Sequence, residues 1–176
     1  IGNLTSQFLA NVYLNELDQF AKRELKIKYY SRYVDDLVVL SQDKQQLKFW
    51  RDEIDKFLRD KLKLQLHPKK QIMQTVEKGI DFLGFVVKPE YTLARRRIVK
   101  SLKEKLWNFN NDSGKMTEEK INNALSMVNS YYGQFRHSNT FSLRRKLWKY
   151  NFSKLTKFIE PIDTNLSYFN VINLET

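Results

Sequence analysis

Apolar positions along the chain change their period several times, and each change marks an element. Phe8, Leu9, Val12, Tyr13, Leu17, Phe20 and Ala21 recur at three- and four-residue spacing, which predicts a helix from about residue 5 to 25. Thr5 or Ser6 supplies a hydroxyl for its first-turn amides. From Tyr29 to Leu40 the residues become β-formers: Tyr29, Tyr30, Tyr33, Val34 and Leu37–Leu40, interrupted by Asp35-Asp36. Two strands joined by a tight turn at the acidic pair follow from this pattern. Helical spacing returns from Asp43 to about Leu62 through Leu47, Trp50, Ile54, Phe57 and Leu58. Leu64-Gln65-Leu66 alternates as a short strand that stops at His67-Pro68, and Gly79–Lys88 reads as an apolar strand pair. Beyond a seam at Pro89–Thr92 the pattern is helical to the end, over about 97–110, 117–133 and 140–160. Turn-forming stretches at Asn110–Gly114 and Arg136–Asn139 separate these segments. The fold class expected is α+β: antiparallel strands with helices over residues 1–93, then an all-helical three-helix module over 94–176.

Composition supports a folded chain. Its 176 residues are 41% hydrophobic and 14% aromatic, which supplies a core and excludes a disordered composition. No apolar run approaches the roughly 18 residues that span a bilayer. The absence of cysteine excludes a disulfide-stapled domain and a thiolate zinc site. Two histidines, His67 and His137, are too few for a histidine-rich metal site. The net charge of +11 raises the expectation of a polyanionic partner. That charge is uneven: residues 1–90 carry 16 basic and 13 acidic side chains, and residues 91–176 carry 15 and 7. The chain opens on Ile1-Gly2 without methionine or a signal-peptide pattern, which suggests the inside of something longer.

Three clusters hold candidate chemistry. Tyr33-Val34-Asp35-Asp36 sets two carboxylates side by side on a turn. Adjacent carboxylates repel, and a divalent cation with oxygen ligands, such as Mg²⁺, relieves the repulsion. A lone Asp-Asp is also an ordinary polar turn. What favours the metal here is the frame of aromatic and β-branched residues, expected to bury the hairpin and leave the pair without another partner. Ile1-Gly2-Asn3-Leu4-Thr5-Ser6-Gln7 is a glycine-containing loop running into a helix, whose free amides suit phosphate or sugar oxygens; a plain capped helix has the same composition. Leu64–Lys70 ends in a lysine pair, suited either to a triphosphate or to solvent.

Taken together and in this order, the clusters resemble the palm of reverse transcriptases. The YVDD box follows a GxxxS loop-helix, and the LxLxxxK stretch and Phe82-Leu83-Gly84 stand where two further palm motifs would. Residues 94–176 are similar, more loosely, to the thumb. Ile1 in place of a glutamine, Ser6-Gln7 in place of Ser-Pro, and Tyr132–His137 look most like the enzymes of diversity-generating retroelements. The resemblance implies a bacterial or phage-encoded, cytoplasmic RNA-directed DNA polymerase that copies template RNA into mutagenised cDNA. Its cofactor would be a pair of Mg²⁺ ions, with Mn²⁺ as an in vitro substitute. Asp35 and Asp36 would be the catalytic metal ligands, and Ile1, Gly2, Gln7 and Lys70 would lie at the incoming deoxynucleoside triphosphate. Tyr33, Gly84, Arg95, Arg96, Arg97, Lys100, Arg144 and Arg145 would meet the RNA template and cDNA primer. A small basic helical accessory protein is a further implied partner, and a membrane is not. An apolar Ile1 would loosen base discrimination, because an apolar contact loses little when a mispair shifts.

The family also needs a third carboxylate from an earlier strand, and Asp18 and Asp43 are poor substitutes. Residues 1–176 alone are therefore expected not to polymerise. A group II intron-like or defence-associated reverse transcriptase, or a non-catalytic nucleic-acid-binding module, are the alternatives.

Overall fold

The first helix, α1 (Leu4–Gln19), runs on into a π-helical turn at Phe20–Glu24. The computed structural model describes residues 4–172. Leu17 and Ala21 of this segment are buried, whereas Phe8, Leu9, Val12 and Tyr13 are exposed. Strands β1 (Tyr29–Tyr33) and β2 (Asp36–Leu40) pair antiparallel, from Tyr29 opposite Leu40 to Tyr33 opposite Asp36. Helix α2 (Lys44–Leu62) is capped at its start by the Asp43 carboxylate, which accepts from the Gln45 amide at 2.8 Å. It ends on left-handed Lys63, with the Leu64 amide donating to the Leu58 carbonyl at 3.0 Å. Leu17, Ala21, Ile27, Ile54, Leu58 and Leu62 form one core, and Phe20 stacks on Phe57 with ring centroids 4.2 Å apart.

The chain divides into two compact units, residues 1–73 and 74–176, and the second has a core of its own. A 3₁₀ turn at Val76–Lys78 precedes a sheet of β3 (Ile80–Phe82), β4 (Phe85–Val87) and β5 (Thr92–Ala94), in that order. Helices α3 (Arg96–Asn111), α4 (Glu118–Phe135) and α5 (Phe141–Asn151) follow. A 3₁₀ turn at Ser153–Lys157 then leads into the hairpin β6 (Ile159–Pro161) and β7 (Phe169–Val171). Tyr132 lies at the centre, edge-on to Phe152 and Phe169 at 5.7 and 4.9 Å. Mixed helix and antiparallel sheet make the fold α+β, as expected.

Several local expectations fail for identifiable reasons. Leu64–Leu66 is irregular: no strand pairs with it among the described residues, and the Asp55 carboxylate takes the Leu66 amide instead, at 3.0 Å. The final module is not wholly helical. The segment expected over 140–160 stops at Asn151, whose carbonyl accepts from Asn110 Nδ2 at 2.8 Å. The chain then returns as β6 and β7, and Asn129 receives β7 as a neighbouring strand would, accepting from the Phe169 amide (2.8 Å) and donating to its carbonyl (3.0 Å). Strand β5 and the helical half are sewn together by Asn139, whose amide donates to the Thr92 carbonyl at 2.8 Å while its side chain accepts from the Thr92 amide at 2.9 Å.

Candidate functional site

The β1–β2 hairpin is built on a two-residue turn, Val34-Asp35, so Asp36 is already the first residue of β2 and not part of the turn. Val34 has φ +54°, a left-handed conformation that is costly for a β-branched residue. Asp35 and Asp36 are both exposed, which corrects the expectation of a buried acidic hairpin. Neither enters an ion pair among the described residues. Their carboxylates are hard oxygen donors, open to solvent and adjacent in sequence. Such a pair suits Mg²⁺, which is commonly held by one or two carboxylates and completed by water and phosphate oxygens. No group of three or more potential metal-ligating side chains occurs among the described residues.

Beneath this exposed pair lies a polar network that sequence reasoning missed. Arg32, its side chain only 8% exposed, grips Asp18 of α1 with two bonds: Nε to Oδ1 at 2.8 Å and Nη2 to Oδ2 at 2.6 Å. Arg32 Nη1 donates to the Val34 carbonyl at 2.6 Å and to Asn11 Oδ1 at 3.1 Å. The Tyr30 hydroxyl donates to Asp18 Oδ1 at 2.7 Å. Burial pushes the Asp18 carboxyl up, but the bonds from Arg32 and Tyr30 outweigh it and hold the group below its ordinary value. Burial, and then the bond to Asp18, raise the Tyr30 phenol, and the bond to Asp18 raises the Arg32 guanidinium. The only sequence signal was Arg32 itself, the one cation in a β-forming run; its partner lies on another element. Asp18 is thus an ion-pair partner and Asp43 a helix cap.

The remaining site residues are dispersed. Gln7 is exposed on α1, and Tyr33 is exposed beside Asp36. Lys70 is exposed at the end of a turn in which its amide donates to the His67 carbonyl at 3.1 Å. Ile1 and Gly2 lie outside the described residues.

In residues 74–176, Arg96, Arg97 and Lys100 are exposed on the first turns of α3, with Lys100 3.7 Å from Glu104. Arg95 is half-buried and paired with Asp81. Arg145 is exposed on α5. Arg144 corrects the expectation of a phosphate-facing surface. It is buried, and its Nη1 donates to the carbonyls of Asn165 and Leu166, fastening the loop between β6 and β7 to α5.

A groove of about 540 Å³ lies between α3 and α4, lined by Arg97, Ser101 and Lys105 on one side and Ser130, Tyr131 and Gln134 on the other. Ser101 and Tyr131 hydroxyls lie 2.9 Å apart, and Lys105 Nζ sits 5.3 Å from the centre of the Tyr131 ring. Gly84 adjoins Gln134: a Cβ there would stand 2.6 Å from Gln134 Nε2. The i, i+4, i+8 spacing of Arg97, Ser101 and Lys105 was the available signal for this groove.

No described helix is long and apolar enough to cross a membrane. The family model for the reverse transcriptase (RNA-dependent DNA polymerase) matches residues 1–87, just under half of the chain and including the acidic hairpin. No curated protein matches the chain.

Proposed function

We propose that this chain is the palm and thumb part of an RNA-directed DNA polymerase; the reverse transcriptase match over residues 1–87 supports the polymerase assignment. The observation that carries it is the coincidence of that match with two exposed, adjacent carboxylates, one on a tight hairpin turn and the next at the start of β2, that enter no ion pair among the described residues. Residues 1–93 would act as palm and 94–176 as thumb. Bound Mg²⁺ would neutralise the triphosphate of the incoming deoxynucleotide and lower the pKa of the primer 3′-hydroxyl. Asp35 and Asp36 would hold the ions, and Lys70, Gln7, Ile1 and Gly2 would meet the nucleotide. Arg96, Arg97, Lys100 and Arg145 offer exposed cations to the phosphates of an RNA–DNA hybrid, an interaction that reads backbone shape rather than sequence. Ser6-Gln7 and Tyr132–His137 support the narrower assignment to a diversity-generating retroelement; of that second stretch, Tyr132 and Phe135 serve the core and Gln134 lines the groove.

The test is formation of a ternary complex. With Mg²⁺, the complementary deoxynucleoside triphosphate should tighten binding of an RNA–DNA primer–template to the chain, measured by fluorescence anisotropy. Asp35→Ala should remove that increment and leave hybrid binding itself in place. Hybrid binding by the unaltered chain that ignores both nucleotide and Mg²⁺ would support the non-catalytic module instead.

A further inference from the structure

Arg32 occupies an unusual place for a strand arginine. Its guanidinium is nearly buried directly under the acidic turn, yet it pairs with Asp18 and not with Asp35 or Asp36. Its remaining donor, Nη1, is spent on the Val34 carbonyl at 2.6 Å, with Asn11 Oδ1 at 3.1 Å. Val34 is the residue in the left-handed conformation, and Asp35 follows it directly. A strained turn persists only where its surroundings over-determine it, and here the fixing bond comes from Arg32. Asp18 sets the aim of that bond: by holding Nε and Nη2 of the guanidinium fork, it leaves Nη1 directed at the Val34 carbonyl.

Resting on the polymerase reading of the hairpin, we propose that Asp18 and Arg32 are positioning residues for the metal site. They hold the Val34-Asp35 turn in its strained form and so fix where Asp35 presents its carboxylate to a divalent cation. Neither touches the cation. Both act through the turn, Arg32 by its bond to the Val34 carbonyl and Asp18 by orienting and occupying Arg32.

The experiment is a Mn²⁺ titration of the ¹⁵N-labelled 176-residue chain, reading paramagnetic broadening of the hairpin amides. Each substitution is accompanied by the ¹⁵N order parameters of Val34 and Asp35 without metal. Arg32→Met and Asp18→Asn should each raise about tenfold the Mn²⁺ concentration that broadens the hairpin, a loss typical of removing an outer-shell partner of a metal ligand. Both should also lower the order of the turn while the α2 resonances stay dispersed. Arg32→Lys should not restore affinity, because an ammonium cannot bridge both Asp18 oxygens and the Val34 carbonyl in a planar fork. Should Arg32→Met fail to fold, Asp18→Asn, which keeps the arginine, carries the test. Wild-type broadening at the hairpin that is matched in the folded variants would overturn the proposal alone. An unaltered chain that shows no hairpin broadening would contradict the polymerase reading of the acid pair, and the proposal with it.

Discussion

Gly84 occupies φ +83° behind Leu83 at φ +53°, the pair of positive dihedrals that a two-residue hairpin turn between β3 and β4 requires. Gly84→Ala adds left-handed strain and a close approach to Gln134 Nε2, a flexible tip that can yield. A loss of about 1–2 kcal/mol in denaturant unfolding is the expected outcome. Asp18 makes the fold sensitive to acid. Its carboxyl lies below the ordinary 3.8, so its contribution is complete above that value and is lost as pH falls through the lowered one. Asp18→Asn should therefore cost roughly 2 kcal/mol at neutral pH, the usual worth of hydrogen bonds to a charged group. Between pH 5 and 2 its stability should fall less steeply than that of the unaltered chain, as pH-dependent urea midpoints would show. Arg144 and Arg145 are neighbours in sequence with opposite fates. Arg144→Met should destabilise residues 74–176 by roughly 2–3 kcal/mol, because two loop carbonyls lose their donor. Arg145→Ala should leave thermal unfolding unchanged.

At the scale of elements, periodicity located α1, α2, α3 and α4 well, and the alternation over Tyr29–Leu40 revealed the β1–β2 hairpin. Turn chemistry was harder to place. The acidic pair suggested a turn at Asp35-Asp36, but the register puts Val34 at the first turn position, where its φ is held by an arginine bonded across to α1. No local pattern encodes that bond. The hairpin β6–β7 was hidden for a related reason: its strands are three residues each, too short to show an alternation, and β7 is held from α4, where Asn129 bonds to Phe169. Asn129→Ala should therefore loosen β7 selectively, raising amide exchange in residues 159–171 well above that in α3. The acid pair of the candidate site was legible from residue types alone. The supporting pair Asp18–Arg32 and the burial of Arg144 were not, since both depend on contacts between elements far apart in sequence.

For the whole molecule, the +11 charge is concentrated in residues 91–176, which carry 15 basic against 7 acidic side chains. Not all of those cations face solvent. Arg144 is internal and Arg95 is paired with Asp81, leaving Arg96, Arg97, Lys100 and Arg145 as the exposed members of the expected set. Replacing these four together by alanine should flatten the log–log salt dependence of RNA–DNA hybrid binding by up to about 3.6 units, since each phosphate contact contributes about 0.9. In the other unit, the exposed carboxylates of Asp35 and Asp36, within the segment matching reverse transcriptases, are proposed to hold a divalent metal. Mn²⁺ titrated into the ¹⁵N-labelled chain tests it most directly. Amides of residues 33–37 should broaden first, and Asp35→Ala should abolish this. Broadening centred instead on the acidic stretch Asp52–Asp55, or hairpin broadening indifferent to Asp35→Ala, would contradict it.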